Sequence, residues 1–281
     1  MRPQSDNKIW YFAYGSNMSA SKFTGSRGIA PLKTARAKIP NWTLTLEIPG
    51  TPYKEPAYTT IRPISGVEIN PVEVVGLAYL ITAEQYIHLV ASEGGGIAYK
   101  DIALRAVPAV EEDREVTGEE FVVRTLGTVM QRSPAAAASQ RYMVRCITFR
   151  RLQDFGVVLL MSLQDLVLNG AVDAKLPEEY CRFLHRLPIY RTSRGMMRRL
   201  GALLFLAFWT PVMLLVEKMA LGSLGPDGNV PAGVGQVVRL VVYVMWAYHD
   251  CVHAPFWGRG DGMDGVGGGG DDISEKAGLL V

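Results

Sequence analysis

Cysteine is scarce in this 281-residue chain: Cys146, Cys181 and Cys251 are the full set, and no two stand at C-x-x-C spacing. That excludes a disulfide framework and a zinc knuckle, and an odd count fits a reducing compartment. An excess of one charge is missing too, since 29 basic against 27 acidic residues leave a net +2. Nothing in that balance calls for nucleic acid. Met1-Arg-Pro-Gln-Ser-Asp-Asn-Lys holds no apolar core, so a secretory signal peptide is not expected, and the cytosol is the expected compartment for the first part of the chain. No repeat of solenoid length occurs. A hydrophobic share of 48% with 20% charged residues excludes a fully disordered chain. The mean hydropathy, +0.11, is slightly high for a soluble enzyme. That excess must sit somewhere.

Up to about residue 130 the pattern is mostly β. Residues 9–14, 43–48, 58–62, 72–81, 99–110 and 119–130 are rich in branched and aromatic side chains and are bounded by turn formers. The run 72–81 is almost continuously apolar, as a strand buried on both faces would be. Thr82-Ala83-Glu84-Gln85 reads as a capping box that opens one short helix over 83–91. From about residue 139 the pattern turns helical, and Pro177 marks the start of a helix that ends near Pro188. Strands first and helices after predict an α+β domain with a closed or strongly curved sheet.

Two features carry chemistry. Tyr14-Gly15-Ser16-Asn17 follows the first strand directly. A glycine there lets backbone approach a ligand, and successive N–H groups can cradle an anion. The plain alternative is an ordinary turn with Ser19 capping a helix. The second feature is Glu93, where the short helix breaks into Gly94-Gly95-Gly96. A carboxylate at such a junction is a candidate general base. The alternative is a solvated helix end with a glycine cap. The three glycines lack the spacing of a dinucleotide fingerprint.

Together these features resemble the γ-glutamyl cyclotransferase family, with its Y-G-S-N-L/M turn and its glutamate in an E-G pair after a short helix. Further motifs follow in order. Thr34–Trp42 looks like the family's second strand, and Val75–Thr82 like its strand before the helix. Ser139-Gln140-Arg141-Tyr142 looks like its P-S-x-x-Y, and Leu176-Pro177-Glu178-Glu179-Tyr180 like its G-L-P-x-x-Y. The likeness covers about residues 9–188. It implies a small mixed β-barrel with flanking helices, and conversion of a γ-glutamyl compound to 5-oxoproline and a free amine. It implies Glu93 as the catalytic acid and base. Tyr11, Phe12, Ala13, Tyr14, Gly15, Ser16, Asn17 and Tyr142 become the substrate-binding set. No metal and no organic cofactor are expected. The partner is a small γ-glutamyl substrate: glutathione, a γ-glutamyl amino acid or a glutathione conjugate. Some relatives serve fungal sulfur-containing secondary metabolism.

The chain departs from that pattern in two places. Residues 144–163 interrupt the helix after Tyr142, and deleting them restores R-Y-M-Q-D-L-V-L-N-G-A. A retained intron and a genuine extension or loop both account for them, and transcript sequencing across this point separates the two. The other departure is the end of the chain. Four arginines between 191 and 199 precede 17 uncharged residues, 200–216, and a second apolar block at 237–248 contains Arg239. These blocks explain much of the raised hydropathy. A membrane hairpin and a pair of apolar helices packed on the domain are the two readings. The expected organisation is a catalytic domain over 1–190, an apolar helical segment over 191–257 and a disordered glycine-rich tail over 258–281. The competing function is a catalytically silent scaffold tethered by that tail. His249 and His253 share a helix face at metal-like spacing but lack an evident third ligand, and Arg259-Gly260-Asp261 is expected to be incidental.

Overall fold

The computed structural model describes residues 8–66, 71–143, 171, 173–191 and 195–263. The interruption at 144–163 lies outside them, as do residues 264–281 of the glycine-rich tail.

Five strands close into a barrel: β1 (Lys8–Ala13), β2 (Lys33–Ile39), β5 (Val74–Thr82), β6 (Tyr99–Pro108) and β7 (Phe121–Thr128). Their order around the barrel is β1-β5-β2-β6-β7. Neighbours are antiparallel except where β1 meets β7, a parallel contact at Tyr11 and Arg124 that closes the ring. The long apolar run forms β5, which pairs with β1 and β2 and is buried along most of its length. Strands β3 (Trp42–Thr51) and β4 (Glu55–Pro63) form a separate hairpin against the barrel.

The capping box forms as the sequence predicts. Thr82 Oγ1 accepts from the Gln85 N–H at 3.2 Å, and Gln85 Oε1 accepts from the Thr82 N–H at 3.0 Å. It opens helix α1 (Ala83–Ser92), whose C-terminal cap is Glu93. Short helices follow at α2 (Arg114–Thr117) and α3 (Gln140–Met143), and α4 (Glu178–Arg186) starts after Pro177. Strands β8 (Ala138–Ser139) and β9 (Ile189–Tyr190) pair in parallel.

The two apolar blocks form helices α5 (Met196–Gly222) and α6 (Ala232–Tyr248). A π-turn, His249–His253, and helix α7 (Ala254–Trp257) follow. One face of this pair belongs to the core of the molecule. Phe205, Trp209, Val242, Met245 and Trp246 are buried in the same cluster as the barrel side chains. Trp246 Nε1–H donates to the Gly50 carbonyl at 2.9 Å. Arg239, costly in a bilayer, instead donates to the Ile97 carbonyl at 3.3 Å.

The tail boundary moves. Residues 258–263, assigned to a disordered tail from composition, are packed. Tyr53 N–H donates to the Gly260 carbonyl at 2.7 Å, and Ala137 N–H donates to the Asp261 carbonyl at 2.8 Å. Asp261 is fully buried. Arg132, from the loop after β7, reaches Asp250 at 3.0 Å and Asp261 at 3.3 Å, and its guanidinium lies 4.1 Å over the Trp246 ring. Arg259 contacts Asp261 at 2.6 Å. Burial is the largest single influence and opposes ionisation of Asp261, yet the Arg259 hydrogen bonds, the Met263 N–H and the Arg259 charge together outweigh it and hold the carboxyl below its usual range. Composition hid this because glycine content signals flexibility only where no partner holds the backbone.

His249 and His253 are buried at the same junction, against Tyr53 and Phe205. Burial lowers the pKa of both, although Asp250 beside His249 and the Gly201 carbonyl beside His253 act the other way. Below about pH 6.5 the unfolded chain takes up protons at these imidazoles before the folded chain does, so stability falls as pH drops. We expect the melting temperature to fall between about pH 7.5 and about pH 5.5, and His249→Gln to flatten that fall. A melting temperature independent of pH over that interval would contradict this packing.

Candidate active site

Glu93 and the Tyr14–Asn17 turn are far apart in sequence and meet in space. Asn17 Nδ2 donates to Glu93 Oε1 at 2.9 Å and also lies 2.9 Å from the Tyr11 hydroxyl. The turn is a short 3-10 segment, Ser16–Met18, leaving the end of β1. Its leading N–H groups precede the first helical hydrogen bond and are not consumed by it. The reading of an ordinary turn with Ser19 as a cap is thus incomplete, because Asn17 is buried and aimed at a carboxylate.

Arg27 completes the arrangement, and sequence reading missed it. Its guanidinium forms an ion pair with Glu93 Oε1 and a hydrogen bond with Ser92 Oγ. Its Nε–H donates to Asn17 Oδ1 at 3.0 Å. Arg27 and Asn17 therefore fix one oxygen of Glu93, which leaves Oε2 for a substrate. Lys22 Nζ sits 2.6 Å from Ser16 Oγ, and burial lowers its pKa although Glu93 partly offsets that. Neither Arg27 nor Lys22 stands at a spacing that a local rule would flag.

A small inner cavity of about 30 Å³ is lined by Tyr11, Tyr14, Gly15–Asn17, Thr59, Glu93, Tyr99, Leu126 and Tyr142. That is room for about one water. Six residues of the expected binding set line it: Tyr11, Tyr14, Gly15, Ser16, Asn17 and Tyr142. Phe12 and Ala13 do not. Both are fully buried in the barrel core, and the Phe12 carbonyl accepts from Thr125 Oγ1 at 2.7 Å. Strand alternation turns Phe12 to the opposite face from Tyr11. Thr59 and Tyr99 are additions to the set, the Tyr99 hydroxyl lying 3.1 Å from the Thr59 carbonyl.

The tyrosines are built to stay neutral. Burial raises the pKa of Tyr11, Tyr14, Tyr99 and Tyr142, and the charge of Glu93 pushes each further in the same direction. A neutral phenol can donate a hydrogen bond to a carboxylate or an oxyanion. Tyr142 Oη lies 2.8 Å from Thr59 Oγ1, and the Tyr14 hydroxyl donates to the Leu126 carbonyl.

Gly15 has no room for a side chain. A Cβ there would meet Thr59 Oγ1 at 2.5 Å and Tyr142 Oη at 3.5 Å. Gly15→Ala therefore displaces Thr59 or the turn. We expect kcat/KM to fall ~10²-fold with the fold retained. Steady-state kinetics beside a circular dichroism melt checks this, and wild-type kinetics in the variant would contradict it.

His249, Asp250 and Asp261 offer donor atoms within 4.8 Å of one another, a spacing a metal ion could use. Arg132 and Arg259 already neutralise both carboxylates. His253 instead pairs with the Gly201 carbonyl at 3.0 Å. The cluster is an ion-pair clamp. Asp261 of the Arg259-Gly260-Asp261 tripeptide is buried within it.

Residues 195–256 match a family model described as the AclK C-terminal domain. The chain is 39% identical over 274 residues to "Gamma-glutamyl cyclotransferase aclK" of Aspergillus oryzae, covering 93% of each. It is 31% identical over 268 residues to "Gamma-glutamyl cyclotransferase gliK" of Aspergillus fumigatus, covering 90% of this chain and 89% of that one. A solved structure described as a gamma-glutamyl cyclotransferase overlaps 67% of this chain and 92% of its own, at 18% identity and a TM-score of 0.47. On the strength of the two sequence relatives, the chain belongs to the gamma-glutamyl cyclotransferase family.

Proposed function

We propose that the protein cyclises the γ-glutamyl group of a small-molecule substrate, releasing 5-oxoproline and a free amine, with Glu93 moving the protons. The observation that carries this is the Asn17–Glu93 hydrogen bond, with Arg27 bridging both residues. It joins an anion-cradling turn to an oriented carboxylate within one cavity.

The substrate carries its own nucleophile, the α-amino group. Glu93 takes a proton from the ammonium, and the freed amine attacks the γ-carbonyl. The ring C–N bond forms and the amide C–N bond breaks. Of three ammonium protons one stays on the lactam nitrogen. The other two leave: one reaches the departing nitrogen through Glu93, and the other passes to water. Attack is intramolecular, so the protein has only to hold the chain folded and keep water out. Backbone N–H groups of the Gly15–Asn17 turn and the neutral tyrosines suit the α-carboxylate and the developing oxyanion. A zwitterionic glutamyl group bound this way needs no basic patch, consistent with the near-neutral chain.

Release of 5-oxoproline from a panel of γ-glutamyl peptides and amides tests the proposal. Turnover of at least one member is expected. Absence of turnover on all of them would support the silent scaffold instead.

The apolar helices bear on location. Among the described residues α5 is the one helix long and apolar enough to cross a membrane, with 22% of its most apolar stretch buried. The packing of Phe205 and Trp209 into the core supports helices docked on the domain rather than inserted across a bilayer. Leu203, Phe208, Leu215, Leu240 and Tyr243 remain exposed on the outer face. That face supports association with a membrane surface by a cytoplasmic enzyme, which vesicle flotation of the full chain tests.

A further inference from the structure

Glu93 lines a second cavity. This one has a volume of about 490 Å³ and lies between the β3–β4 hairpin, the end of α1 and the two C-terminal helices. Its outer wall is Met213, Val216 and Ala220 of α5 with Val238 and Val242 of α6. Most of its lining is apolar, and Lys54 and Glu217 are the exposed charged groups at its edge. The volume is in the range that holds a drug-sized ligand, whereas the inner cavity holds about one water.

The same helices also hold the loop that carries Glu93. The Val230 N–H donates to the Gly95 carbonyl at 2.8 Å. Gly95 has a φ of +55°, and a Cβ there would meet Leu224 at 2.7 Å and Val230 at 2.9 Å. The α5–α6 linker is thus seated on the loop following the catalytic glutamate.

Resting on the cyclotransferase reading, we propose that this chamber receives the leaving amine, and that helices α5 and α6 are the specificity wall that selects a bulky apolar amine over a small polar one. Glu93 is the residue the two cavities share, as a group must be that gives its proton to the departing nitrogen. The glutamyl group lies on the Tyr14–Asn17 side and the part cut away lies on the helix side. A small polar amine would leave most of the apolar wall in contact with water, and a bulky apolar one would cover it.

Two substrates test this: γ-glutamyl-7-amido-4-methylcoumarin and γ-glutamyl-alanine. The wild type is expected to favour the coumarin amide in kcat/KM by at least ~10-fold, as burial of a few methylene equivalents gives. Ala220→Phe fills the chamber, and Leu221→Arg places a charge on an exposed lining position that tolerates it. Each is expected to lower the coumarin-to-alanine ratio at least ~10-fold. An unchanged ratio in a folded Leu221→Arg variant overturns the proposal. Binding of free 7-amino-4-methylcoumarin, read by its fluorescence, separates the chamber from the reaction. If neither substrate turns over but the free amine binds wild type and not Ala220→Phe, the chamber stands and the cyclotransferase reading falls. If the free amine does not bind wild type, or binds both proteins alike, the chamber falls.

Discussion

Glu93→Gln is expected to lower kcat for 5-oxoproline release by ~10²–10⁴-fold. The amide is nearly isosteric and can still meet Asn17 and Arg27, so the geometry of the inner cavity is kept. What it loses is the capacity to take the ammonium proton and pass it on. Without that transfer the α-amine stays protonated at neutral pH and has no lone pair to attack with. KM should change little, because the contacts proposed for the glutamyl group come mainly from the turn and the tyrosines. Loss of the largely buried Arg27–Glu93 charge pair should also lower the melting temperature, so kcat is compared at a temperature where both proteins are folded. Turnover by the variant equal to wild type would remove Glu93 from the mechanism.

Asp261→Ala is expected to lower stability by about 3–5 kcal/mol, the usual cost of leaving buried charges unpaired. In the folded protein Asp261 is fully buried between Arg132 and Arg259. Removing it takes a buried carboxylate away from both guanidinium groups, at the seam that joins the C-terminal helices to the barrel. The melting temperature should drop by roughly 10 °C. The surface pair Arg105–Glu120 supplies the contrast, being mostly exposed on both sides. Arg105→Ala is expected to change stability by less than ~1 kcal/mol. Activity adds a second readout, because the seam continues into the helices that cover the chamber beside Glu93. Asp261→Ala should lose activity below its own melting temperature. If it melts with the wild type, the terminal segment is not a clamp.

The sequence makes local features legible and leaves contacts between distant segments hidden. Strand β5 is readable because continuous apolar character has few explanations other than burial on both faces. The capping box at Thr82 is readable because both partners lie within three residues of each other. Glu93 and Tyr14–Asn17 are readable as motifs. Their meeting is not, since it depends on how β1 and α1 are brought together by β5. Arg27 and Thr59 escape for the same reason: each reaches the site from a segment with no motif of its own. Phe12 is over-assigned because a motif spans both faces of a strand and the site uses one, and Ala13, on the same face as Tyr11, is over-assigned because its short side chain stays in the barrel core. The glycines after Glu93 look like a simple cap, yet Gly95 is small because the α5–α6 linker packs on it. Apolar composition alone cannot tell a membrane-facing helix from one seated on its own domain. Buried Phe205 and Trp246 show that one face of each helix packs on the barrel, while the outer faces stay exposed.

Intramolecular attack by the substrate's own amine is tested most directly by running the reaction in H₂¹⁸O. Cyclisation brings no water into the product. 5-Oxoproline with unlabelled carbonyl oxygen is expected, released in step with the free amine. Glutamate carrying ¹⁸O in its γ-carboxyl as the first product would show a hydrolase and contradict it.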